Sequence, residues 1–278
     1  MADIGKYNVL TVLKFTDFGA YLVDSEGHEI LLPNKYVPEN CKTGAKLNVF
    51  IYLDSEDRII ATTRAPKAQA GDFASLKVKD VNDFGAFLDW GLEKDLFVPF
   101  KEQRRPMEVG EYTVVFIYVD PETNRLLAST KLNKFISKKT EQISEGDEAS
   151  ALICSKTDLG YTCIVENMFS GLLYKNEVFT DLHRGDIINA IVKKRRPDGK
   201  LDLSLQKTGY NKVDGLPEQI LKKLKLQAGF MPVNSKTPPE KIYDLFGVSK
   251  KTFKMAIGSL YKERKIIITD DGIRLAAK

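Results

Sequence analysis

The 278-residue chain carries 42 Lys and Arg against 38 Asp and Glu, with 43% hydrophobic and 29% charged residues, a composition that excludes disordered and fibrous classes. No stretch approaches the roughly 18 consecutive apolar residues of a membrane span. The start, Met1-Ala2-Asp3-Ile4-Gly5-Lys6, has neither a basic n-region nor an apolar h-region, so a non-exported, cytoplasmic chain with no membrane partner is expected.

The chain is organised by a repeated phrase: Asp17-Phe18-Gly19-Ala20-Tyr21, Asp83-Phe84-Gly85-Ala86-Phe87 and a worn copy, Asp158-Leu159-Gly160-Tyr161-Thr162. Each copy has a glycine 14 positions upstream (Gly5, Gly71, Gly146) and another 25 downstream (Gly44, Gly110, Gly185). Such periodicity outranks a length-based domain count.

In the first repeat, Tyr7 to Leu13 alternates as a half-buried strand, Gly19 to Val23 follows, and Ser25-Glu26-Gly27-His28 turns into Glu29-Ile30-Leu31-Leu32, stopped by Pro33. After Gly44 the run Leu47 to Tyr52 places Leu47, Val49 and Ile51 on one face and Asn48, Phe50 and Tyr52 on the other, and Arg58 to Thr63 closes the unit. The second repeat follows the same plan to Lys131. Five short strands with a longer third connection predict a closed Greek-key barrel of the OB type, with a five-stranded sandwich as the rival.

The polar stretch Asn133 to Glu141 stands off the repeat and is read as a linker with a helical turn. The third repeat ends in a Pro197-Asp198-Gly199 hairpin. From Val213 the apolar period changes to three and four: Leu216, Ile220, Leu221 and Leu224 after Pro217, then Ile242, Leu245 and Phe246 ended by Gly247. Ser249 caps a third helix whose Phe253, Ala256, Ile257 and Leu260 face inward while Lys250, Lys251 and Lys254 point away. Ile266–Thr269 and Ile273–Leu275 form a two-stranded wing. The expected class is mainly β with a C-terminal α+β module: OB repeats at 1–66, 67–132 and 146–210, a linker at 133–145 and a winged helix at 211–278.

The net charge of +4 is unevenly divided, because residues 212–278 hold 14 Lys and Arg against 7 Asp and Glu (+7), leaving −3 on the rest. A basic C-terminal module suggests an anionic partner there. On an OB barrel, strands two and three form the oligonucleotide face, so Phe18, Tyr21, Phe84 and Phe87 are candidates for stacking on bases. Lys14, Lys35, Lys79 and Lys101 are candidates for phosphates. The third repeat has lost its stacking pair, and its candidate contacts are Tyr161, Tyr174 and the run Lys193-Lys194-Arg195-Arg196. In the winged helix, Lys250, Lys251 and Lys254 suit phosphates better than base edges.

No P-loop, GxSxG, HExxH or GxGxxG motif is present, and Cys41, Cys154 and Cys163 with two histidines make poor material for a metal site or a nucleophile. No enzyme activity, cofactor or metal is expected.

The glycine frame with Phe-Gly-Ala-Tyr/Phe after the first strand resembles the RNA-binding repeats of bacterial ribosomal protein S-one. Three such units followed by a winged helix resemble the conserved virulence factor B family of bacterial RNA-binding regulators. The resemblance implies a single-stranded RNA partner, regulation of gene expression, and stacking at Phe18, Tyr21, Phe84 and Phe87. The family's third-strand histidine is replaced by Pro33, Pro99 and Tyr174. A DNA-binding regulator using the winged helix and a protein-interaction adaptor are the alternative readings. Duplex nucleic acid and protein are both open as winged-helix partners.

Overall fold

The repeated phrase builds the same turn three times. In the computed structural model, which describes residues 2–175, 178, 181–205 and 215–276, Gly19, Gly85 and Gly160 each follow the residue at the tip of the first hairpin, with φ of +151°, +155° and +148°. A Cβ there would stand 2.1 Å from the Leu32 carbonyl oxygen, 2.3 Å from that of Val98 or 2.1 Å from that of Leu173. Only glycine lets this hairpin press onto the neighbouring backbone.

The first barrel comprises β1 (Tyr7–Thr16), β2 (Gly19–Val23), β3 (Glu29–Pro33), β4 (Lys46–Leu53) and β5 (Ile59–Thr62). The second comprises β6 (Phe73–Asn82), β7 (Gly85–Asp89), β8 (Leu96–Pro99), β9 (Tyr112–Val119) and β10 (Leu126–Ser129). The third comprises β11 (Glu148–Lys156), β12 (Gly160–Val165), β13 (Phe169–Tyr174), β14 (Ile187–Arg195) and β15 (Leu201–Ser204). Each closes in the spatial order first-second-third-fifth-fourth, with a parallel pair between the third and fifth strands (Leu31 with Ile60, Phe97 with Leu127, Gly171 with Leu201). The first strand of each slips register by one residue, at Val12/Lys14, Val78/Asp80 and Ile153/Ser155. This bulge lets one strand turn the corner between the two halves of the barrel. These are closed OB-type barrels, not the rival sandwich.

The second face of β4 is covered as well. Phe50 and Tyr52, on the outer side of β4, are buried with the core of the second barrel, alongside Ile60, Trp90 and Leu92. Lys94 reinforces the joint by donating to the Asp54 carbonyl at 2.6 Å and pairing with Asp57 at 3.0 Å. The second and third barrels also meet through an apolar seam, where Phe73, Val114, Leu152 and Ile164 pack with Phe135 and Ile136. Asn167 fastens that seam, accepting from the Phe73 backbone N–H at 2.6 Å and donating to Asp72 at 3.0 Å. The segment expected to be a linker is therefore packed: a 3-10 turn spans Leu132–Lys134, Phe135 stacks on Phe116 at 4.1 Å, and Ile143 lies in the third core.

The C-terminal module comprises α1 (Leu216–Leu226), β16 (Phe230–Met231), α2 (Pro239–Phe246), α3 (Lys250–Lys262), β17 (Ile266–Ile268) and β18 (Ile273–Leu275). Gly247 ends α2 at φ 64°, and the Ser249 hydroxyl caps α3 by accepting from the Thr252 N–H at 3.1 Å. The wing has three strands, ordered β16-β18-β17. Its two-residue β16 is too short to carry an alternating signal. The expected boundary at 210/211 and the change of period at Val213 lie outside the described residues.

Candidate nucleic-acid interface

Because the glycine turn pins the hairpin tip, the preceding aromatic is thrust into solvent: Phe18 is 76% exposed and Phe84 75%. Tyr21 and Phe87 lie on β2 and β7 with their rings half-buried on the outer faces of those strands, since Ala20 and Ala86 take the inward positions. Both aromatic pairs thus flank the strand that OB barrels present to oligonucleotides.

Two further sets of rings extend these faces. In the second barrel Phe97 lies directly across from Phe87, centroids 5.0 Å apart, and Phe100 just beyond β8 is 50% exposed. In the first, Phe15 on β1 is 46% exposed. The outward position of Phe97 between the buried Leu96 and Val98 was readable from alternation; Phe15 was obscured by the bulge, which breaks the period of two.

The nominated cations are partly engaged. Lys14 lies 5.0 Å from the Tyr21 ring centroid and pairs with Glu29 at 2.7 Å. Lys79 pairs with Asp95 at 2.9 Å, and Lys35 reaches Glu93 of the second barrel at 2.6 Å, which raises the lysine's pKa. Lys101 is exposed beside Phe100. Exposed ion pairs of this kind contribute little, so a phosphate can displace the carboxylate at small cost.

The third barrel differs. Leu159, 66% exposed, holds the place of Phe18, and the Thr162 hydroxyl meets that of Ser155 at 2.7 Å where Tyr21 would stand. Tyr161 is corrected from contact to core: it is 4% exposed and packs with Ile153, Cys163 and Leu173, because it occupies the inward position of Ala20. The Tyr174 hydroxyl donates to Asp202 at 3.3 Å, and Arg196 approaches the same carboxylate at 3.9 Å. Arg195 donates to the Thr140 carbonyl at 3.3 Å, while Lys193 and Lys194 are exposed. The basic run is thus divided: Arg196 braces the β14–β15 hairpin through Asp198 and Asp202, and Arg195, exposed like the two lysines, reaches the segment before β11.

In the winged helix Lys251 and Lys254 are exposed on α3. Lys250 is the exception to the outward assignment: it is half-buried, and its ammonium donates to the Lys236 carbonyl at 3.3 Å.

Among the described residues no cluster of His, Cys, Asp and Glu is placed to hold a metal ion. Burial pushes the thiols of Cys154 and Cys163 up to about 12, so both are protonated at neutral pH. No helix among the described residues is long and apolar enough to cross a membrane.

The family model for the S1 domain matches residues 4–64 and 70–131, and that for the CvfB-like winged helix domain matches residues 218–275. Conserved virulence factor B of Staphylococcus haemolyticus is 22% identical over 285 residues, spanning 99% of this chain and 95% of that protein. The chain belongs to the conserved virulence factor B family. An uncharacterized Bacillus subtilis relative, YitL, is 28% identical over 271 residues, covering 94% of this chain and 90% of its own. A Streptococcus pneumoniae crystal structure, described as a multidomain protein with nucleic acid binding domains, aligns over 98% of both chains at 22% identity and a TM-score of 0.43. The matched families are nucleic-acid-binding domains and not catalytic ones, and this member of the conserved virulence factor B family is a nucleic-acid-binding protein.

Proposed function

We propose that the chain is a non-catalytic, cytoplasmic protein that binds single-stranded RNA and regulates gene expression through it. One observation carries this reading: Phe18 and Phe84 stand at the same hairpin tip of two closed barrels, 76% and 75% exposed. Leaving a phenylalanine in water forgoes about 1.5–3 kcal/mol of burial, and the fold does so twice at equivalent positions. A base stacked on each ring recovers about 1–3 kcal/mol without regard to sequence. Lysines beside the rings then take the phosphates, which makes binding weaken with salt.

Duplex DNA offers no splayed bases to these rings, whereas a single strand does. Two weak faces on one chain also act together, because a strand held by one barrel is presented to the next at high effective concentration.

Competition between single-stranded RNA and duplex DNA across a salt series tests the proposal. Preference for the single-stranded RNA is expected, with affinity falling linearly in log salt. Preference for duplex DNA, lost on removing residues 212–278, would instead establish the DNA-binding alternative. Absence of any nucleic-acid shift at low salt would leave the adaptor reading.

A further inference from the structure

Strand β17 has basic residues before it and acidic ones after it: Arg264-Lys265, then Ile266-Ile267-Ile268, then Thr269-Asp270-Asp271. In the sheet ordered β16-β18-β17 it lies at an edge. An edge strand offers its backbone to another strand, and natural edges are commonly guarded by a lysine, a proline or a bulge within the strand. β17 carries none of these: its register with β18 is regular, and Ile267 is 48% exposed.

The hydrogen bonds to β18 fix which groups face the edge. The Thr269 N–H donates to the Gly272 carbonyl at 2.8 Å, and the Ala276 N–H donates to the Lys265 carbonyl at 3.1 Å. Such bonds alternate along an antiparallel ladder, so Lys265, Ile267 and Thr269 direct their backbone groups to β18. Ile266 and Ile268 turn theirs to the edge. On the solvent face Ile267 continues a row from Phe230 through Arg274, whose guanidinium lies 4.6 Å from the Phe230 ring centroid.

We propose that β17 pairs antiparallel with β17 of a second copy of this chain, joining two wings into one continuous sheet. Because Ile266 and Ile268 carry the edge bonds, only registers centred on Ile266, Ile267 or Ile268 satisfy them in both copies. Centred on Ile268, the register sets Ile266 across from Asp270; centred on Ile266, it sets Ile268 across from Arg264. Centred on Ile267, it sets Ile266 across from Ile268, Ile267 across from itself, and Arg264 across from Asp270 at both ends. Isoleucine then meets isoleucine and each cation an anion, which selects this register. Arg264 is exposed, and the Asp270 side chain, paired with exposed Lys236 at 2.8 Å, is 95% exposed. Glu263 and Asp271, next along the chain, are each answered inside their own copy, by Lys265 at 2.7 Å and by Arg274 at 3.0 Å. A second copy meets this order of charges by symmetry. The proposal does not depend on the RNA-binding reading.

Sedimentation equilibrium of the full chain, treated with nuclease, tests it. The mass should rise with concentration toward that of a dimer. A chain that stays monomeric up to about 1 mM overturns the proposal and leaves the edge to a strand of another protein. Ile267→Lys, at an exposed position and with folding checked by circular dichroism, should abolish the rise; a dimer that survives it lies elsewhere and overturns the proposal. The charge order has its own test. Arg264→Asp or Asp270→Arg alone sets like charges together at two symmetry-related places, so the dissociation constant should rise by about tenfold. Aspartate tolerates the φ of 56° at position 264. The double variant, Arg264→Asp with Asp270→Arg, should restore the dimer. Single variants that dimerise like the wild type, or a double variant as weak as either single one, overturn the pairing.

Discussion

Phe50 of the first barrel meets Trp90 of the second edge to face, ring centroids 5.7 Å apart and planes at 75°. Phe50 is 0% and Trp90 2% exposed, and the Trp90 indole N–H donates to the Lys94 carbonyl at 2.7 Å. The contact joins the two barrels that carry aromatic faces. Trp90→Ala is expected to cost about 3–5 kcal/mol, and a double-mutant cycle with Phe50→Ala to give a coupling of about 0.5–1.5 kcal/mol. Urea unfolding measures both. Additive single-mutant effects would contradict the joint.

Leu159 holds the place of Phe18 and Phe84 on the third barrel and, like them, is exposed, at 66%. Leu159→Phe should therefore restore a stacking ring at little cost to stability. Affinity for single-stranded RNA is expected to rise by about 1 kcal/mol, measured by titration at low salt. An unchanged affinity would show that the third face lies off the path of the strand.

Tyr161 separates core from face. Tyr161→Ala is expected to destabilise the third barrel by about 3–5 kcal/mol, as loss of a buried aromatic does. Tyr161→Phe keeps the packing and should leave RNA affinity unaltered. Weaker binding by the phenylalanine variant with intact stability would return Tyr161 to the site.

Glu102, buried beside β8, accepts from the Ser129 hydroxyl at 2.5 Å and pairs with Lys134 at 2.9 Å. Burial pushes its carboxyl up, but the Ser129 hydrogen bond and the Lys134 ammonium together hold it below the ordinary 4.5. A carboxyl lowered by folding contributes stability that is whole above its unfolded value and lost as pH falls through its folded one. Stability should thus decline as pH drops below about 4.5. Glu102→Gln should lower stability at neutral pH and flatten that acid decline; equal slopes for the two proteins would contradict this role.

The barrels were legible because their causes are local. The glycine that admits the hairpin onto a neighbouring carbonyl must recur in every copy, and strand alternation is visible within a few residues. Tyr161 was legible too, since alternation from Gly160 places it where Ala20 and Ala86 point inward. What alternation does not carry is burial between modules. Phe50 and Tyr52 share the second face of β4 with Asn48, and the neighbouring barrel covers both rings. The same limit hid the pairing of Lys35 with Glu93, residues 58 positions apart. Lys250, turned back to a carbonyl 14 residues earlier, is a smaller case of the same limit.

The central claim is that the hairpin-tip rings hold bases. The direct measurement is the affinity of the Phe18→Ala, Phe84→Ala double variant for single-stranded RNA at low salt, with folding verified by circular dichroism. Each ring is worth about 1–3 kcal/mol, so binding should weaken by at least about tenfold while the salt dependence, set by the lysines, is retained. Wild-type affinity in the folded double variant would contradict stacking at these positions.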